Sequence, residues 1–200
     1  MKLVKADEVL GLGAYESVRD RFRARIIAHK KTRRVLLGPE MSLVFEDHDT
    51  VLALIQEMLR AERISDPDAI QTEIDTYNEL VPPDGSLLAT LMIEIVNEAE
   101  RERKRRAYVG LDGTMALELG DRRVPARFAP EGLWPDRIAV VQYLSFDLDA
   151  EAHRRLGDAS ASARIVCEHP SYRHAVEIPA ATRASLAHDL DPRLARFAAS

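Results

Sequence analysis

An α+β fold, a mainly antiparallel sheet built from hairpins with helices packed on it, is what the sequence predicts. Segments with apolar residues at three- and four-residue spacing intermingle with short β-branched and aromatic runs instead of alternating strictly with them. Several of those runs come in pairs around a turn signal, as hairpins do. No repeat, low-complexity linker or shift in composition divides the chain, so one domain over residues 1–200 is expected, with a short helical tail from about 180.

Element by element, Tyr15, Val18, Phe22 and Ile26 form one stripe and predict a helix over 14–32. Residues 34–46 read as two strands around Gly38-Pro39. A helix over 49–63 follows, with Asp49 as its cap. The next opens at Asp66-Pro67, buries Ile70, Ile74 and Tyr77, and stops at Pro82-Pro83. The nearly continuous apolar run 87–95 has the composition of a central strand, and Asn97 then starts a very polar helix to about 108. Segments 115–119 and 122–128 flank Gly120-Asp121 as a hairpin whose Pro125 marks an edge. Residues 138–148 make the clearest strand, Asp149 caps a short helix to 156, and 164–178 form a last hairpin. The C-terminal segment is helical with a break at Asp191-Pro192; Leu194 and Phe197 then need a surface, and a homodimer is the favoured one.

Composition narrows the function. A net charge of −5 opposes general affinity for nucleic acid, which needs surplus cation. Cys167 is the only cysteine, so neither an internal disulfide nor a self-contained iron–sulfur cluster can form. The apolar run 87–96 contains Glu94 and is far shorter than the roughly 20 residues of a spanning helix, so no membrane association and a cytoplasmic location are expected. Gly11-Leu12-Gly13 lacks the third glycine of a dinucleotide loop, and no phosphate loop, nucleophile elbow or zinc-protease motif occurs. No nucleotide cofactor is expected, and whether the chain is an enzyme stays open.

Three groups of residues stand out. If the last hairpin closes around Ser171-Tyr172, His169 lies opposite His174 and Cys167 opposite Val176. Cys167, His169 and His174 then share a face and could hold iron or zinc, with Glu168 or Glu62 in support. The bland alternative is a cysteine buried as a small hydrophobe and two turn histidines. Glu62 projects near the centre of the face made by Val51, Ile55, Met58 and Leu59, as a buried carboxylate, unless it lies past the end of the core. Arg19, Arg23, Lys30 and Arg34 project onto one flank of the first helix, either as a solvated face or as a docking surface for an acidic protein.

The stretches FRARIIAHKKTRRVLLGP, FEDHDTVLALIQEMLRAERI and LLATLMIEI, with His169-Pro170-Ser171-Tyr172, resemble a bacterial family known as domain of unknown function 3501. The resemblance spans about 7–178. It implies genes encoded beside a rubrerythrin-like diiron protein and an iron–sulfur oxidoreductase, and it carries over no catalytic residue. The resulting expectation is a non-enzymatic accessory or partner-binding component of a redox or peroxide-defence system. The alternative is an iron- or zinc-binding enzyme or sensor that uses the last hairpin.

Overall fold

The computed structural model describes residues 1–190. Helix α1 covers Leu12–Lys31, strands β1 and β2 Arg34–Leu37 and Met41–Phe45, and helices α2 and α3 His48–Glu62 and Pro67–Asn78. Then come β3 (Ser86–Ile93), α4 (Glu98–Ala107), β4 (Met115–Leu119), β5 (Arg122–Pro125), β6 (Arg127–Phe128) and β7 (Val141–Asp147). The chain continues with α5 (Ala150–Gly157), β8 (Ala163–His169), β9 (Tyr172–Glu177) and α6 (Ala180–Asp189). The strands form two antiparallel sheets, ordered β1-β2-β3-β7-β6 and β5-β4-β8-β9. The fold is α+β.

The inner faces of the two sheets share one core, with Leu43, Phe45, Leu91 and Phe146 from the first and Leu117, Leu119 and Ile165 from the second. Alternation decides this: β3 and β7 bury every second residue inward, as strands between a core and a half-covered face must. A smaller apolar cluster lies outside the five-stranded sheet, where Val4, Val51, Ile55, Leu59, Ile74 and Val81 join the N-terminus to α2 and α3. Strand β2 is buried throughout, and its one polar residue, Ser42, donates to Glu94 at 2.7 Å.

Two local expectations need correction. Asp47, not Asp49, caps α2: its carboxylate accepts from the Thr50 amide at 2.9 Å, while the Thr50 hydroxyl accepts from the Asp47 amide at 2.8 Å. Segment 122–128 is not one strand, because Pro125 cannot continue the ladder. The chain crosses there, β5 forming an edge of the smaller sheet and β6 an edge of the larger. The expected break at Asp191-Pro192, and Leu194 and Phe197 with it, lie outside the described residues. Among the described residues no helix is long and apolar enough to cross a membrane.

The most demanding contact is made by Arg33, only 1% exposed. Its guanidinium donates to the carbonyls of Phe45 and Glu46 and to Ser185, and it pairs with Asp47 at 3.2 Å and Asp189 at 2.5 Å. One side chain therefore joins the end of α1, the cap of α2 and the last turn of α6. His29 adds to the group at 2.6 Å from Asp47, and that bond raises its pKa. Burial pushes Asp189 up despite Arg33, whereas His29 and Arg33 hold Asp47 low against its own burial. Removing one partner of such a group leaves buried charge unpaired, at a cost of about 3–5 kcal/mol. Arg33→Met should lower the unfolding free energy by that amount in a urea titration. A loss below about 1 kcal/mol would show that the cluster is not what joins the three helices.

Candidate functional site

The last hairpin turns at Pro170-Ser171, one residue earlier than expected, so the register is displaced by two. Cys167 faces His174, and His169 faces Tyr172. The shared inward face is as expected, but the ligand set does not come together. His169 Nε2 donates to the Val109 carbonyl and Nδ1 accepts from the Ser171 amide, both at 3.1 Å, so neither nitrogen is left for a metal. Cys167 is 2% exposed and donates to the Tyr172 carbonyl at 3.2 Å, and burial raises its pKa. His174 packs against Tyr172, their ring centres 4.4 Å apart and their planes tilted by 49°. Among the described residues no three His, Cys, Asp or Glu side chains are grouped to hold a metal ion.

The hairpin's work is structural. The Tyr172 hydroxyl donates to the Leu37 carbonyl at 2.5 Å and accepts from the Glu40 amide at 3.1 Å, strapping the β1–β2 turn to β9. Gly38 turns there with φ +67°, and a Cβ on it would lie 2.6 Å from that hydroxyl and 2.7 Å from the His174 ring. Tyr108 reaches the same corner, donating to Glu40, which also holds Lys104 at 2.7 Å.

The other two expected groups are dispersed. Arg19 is bound to Glu57 through two hydrogen bonds, at 2.7 and 2.9 Å. Arg34 lies on β1 instead of the helix and pairs with Glu94. Arg23 and Lys30 border a small groove between α1 and α2, with Phe22, Ile27 and Leu54 as its apolar lining. Glu62 is exposed, because α2 ends on it and Arg63 takes a left-handed conformation. The chain reverses so that Ile64 bonds back to the Leu59 carbonyl and packs on the small outer cluster where Glu62 was expected.

The most deeply buried carboxylate among the described residues is Glu46. It is 2% exposed, one oxygen accepts from Thr90 Oγ1 at 2.6 Å, and the other is buried without a hydrogen-bond partner. Glu46 follows β2 immediately, and Thr90 stands directly across β3 from Tyr143 on the outer face of the sheet. On the same face, walled by Tyr143 and without Glu46 or Thr90 in its lining, a cleft of about 520 Å³ opens against the end of α3. Tyr77, Leu80, Leu88, Phe128 and Tyr143 form its apolar walls, while Glu79, Glu131 and Arg127 stand at its rim. Burial, then the Glu46 charge, pushes the Tyr143 phenol up, and burial does the same to Tyr77, with Glu73 and Tyr143 adding to it. Both stay neutral hydroxyl donors at physiological pH. The signal available in the sequence was Thr90, the one hydroxyl inside a central apolar strand, which demands a polar partner.

A buried thiol held in its protonated form is a poor nucleophile. Native protein at pH 7 should therefore give less than about a tenth of an equivalent of thiol to an aromatic disulfide reagent within minutes, and a full equivalent once unfolded in guanidinium. Rapid reaction of the native protein would mean that the hairpin opens and exposes Cys167.

The profile of the family described as "Protein of unknown function (DUF3501)" matches residues 3–190. A crystal structure described as a novel protein of unknown function from Burkholderia pseudomallei K96243 is similar at 39% identity, with a TM-score of 0.88 over 95% of this chain and 100% of that one. No curated protein matches. With nearly its whole length matched, the chain belongs to the DUF3501 family of proteins of unknown function.

Proposed function

We propose that this chain is a non-enzymatic binding protein whose cleft, between α3 and the outer face of the five-stranded sheet, holds a small and largely apolar ligand. One observation carries this reading. A concave apolar space of about 520 Å³ is walled by Tyr143, and Thr90, directly across the ladder from Tyr143, donates to a buried carboxylate whose second oxygen has no partner among the described residues. Small-molecule sites run from about 300 to 1,000 Å³ and pair apolar walls with a few convergent polar groups. A half-satisfied buried carboxylate costs stability, on the order of 1–3 kcal/mol or more, and such a cost is kept where a group has work to do. N-phenylnaphthylamine, an uncharged dye that brightens in apolar surroundings, should bind the native protein. Ser145→Phe, which fills the cleft from β7, should weaken that binding by about tenfold or more. Equal binding by the variant would overturn the assignment of the cleft.

The wider context we propose is the one the family resemblance implies, an accessory component of a cytoplasmic redox or peroxide-defence system. Arg23 and Lys30 support a docking surface for an acidic partner such as a rubrerythrin-like or iron–sulfur oxidoreductase protein. Of the four flank cations, only Arg19 and Arg34 have ion-pair partners among the described residues. Immobilised native protein should retain such a partner at about 0.05 M salt and release it at about 0.5 M. The double variant Arg23→Glu with Lys30→Glu should not retain it. Failure of both purified partners to bind at low salt would remove this context and leave the cleft reading intact.

A further inference from the structure

Charge around the cleft favours one class of occupant, and we infer that its ligand is an organic cation, an ammonium group carried on an apolar or aromatic body. The inference rests on the reading of the cleft as a binding site and names what that site selects.

The walls supply the first half of the argument. Tyr77, Tyr143 and Phe128 present aromatic surface to one space, and aromatic faces attract a desolvated cation through the negative charge of their π-systems. Leu80 and Leu88 complete an apolar lining that would accept the body of such a molecule. The acids supply the second half. Glu79 and Glu131 stand at the rim, and the charges of Glu73 on α3 and Glu62 at the end of α2 act on Tyr77. Glu46 does not line the cleft, but it is buried near enough to Tyr143 to act on that phenol, and low polarizability there lengthens the reach of its charge. An anion would find only Arg127, whose guanidinium is turned to Asp147 at 2.8 Å and is largely exposed. A neutral ligand would leave Glu46 unused. An ammonium group takes advantage of the aromatic surface and the carboxylates together.

Three ligands of nearly equal shape test this: phenethylammonium, 2-phenylethanol and phenylacetate, each titrated against protein carrying N-phenylnaphthylamine. Phenethylammonium should displace the dye at a concentration about tenfold below that of the alcohol, and phenylacetate should be weakest. Glu46→Gln should still bind the dye but reduce the preference for the ammonium to below about threefold. Should that variant fail to fold, Tyr143→Leu, which keeps an apolar wall but removes the aromatic face, must shrink the preference likewise. An alcohol or an acid that competes as well as the ammonium overturns the inference, and so does a preference that both variants leave unchanged. If dye and ammonium both fail to bind the native protein, by fluorescence and by calorimetry, the cleft reading falls and this inference with it. Dye binding without a charge preference overturns the cation alone.

Discussion

A guanidinium with almost no exposure cannot be left to choose its partners, and Arg33 constrains the rest of this molecule accordingly. Its donors must all be met inside the protein, since no water replaces a missing acceptor. Two are met by carbonyls at the point where β2 ends and α2 begins, and the rest by Asp47, Ser185 and Asp189. Strand, cap and α6 are therefore fixed to one another before any apolar contact is considered. The position of Glu46 follows from the same anchor. Its carbonyl is one of the acceptors, so its side chain is delivered to the outer sheet face next to Thr90.

The residues with the most chemical character turn out to be joinery. His169, Cys167 and Tyr172 each form hydrogen bonds to backbone groups of their own hairpin or of neighbouring turns. Histidine and cysteine near one another suggest a ligand set because both bind metals. The same polar atoms also serve to satisfy orphaned amides and carbonyls where strands turn, and here their hydrogen-bonding capacity is spent that way.

Elements with strong local signals were legible in the sequence: the stripe of α1, the cap and proline at Asp66-Pro67, and the apolar or aromatic composition of β3 and β7. Register was not. A two-residue turn and a turn placed one residue later fit the same composition, and only packing against Leu37 and Val109 selects between them. Glu62 misled because helical projection assumes that the helix continues, whereas a left-handed Arg63 ends it. Glu46 was hidden for the opposite reason. A charged residue at the end of an apolar strand reads as the start of a loop, and its burial depends on α2 and α3 folding back across the sheet, which no local pattern encodes.

The crossing at Ala126 has a consequence for how the chain reaches this state. Strands β4 and β5 belong to the smaller sheet, β6 and β7 to the larger, and β8 and β9 to the smaller again. Neither sheet is a continuous stretch of sequence, so completing either one requires closing a loop that contains strands of the other, and such loops close slowly because their ends are far apart in the chain. A nascent chain released before residue 189 would lack the carboxylate that completes the anchor at Arg33.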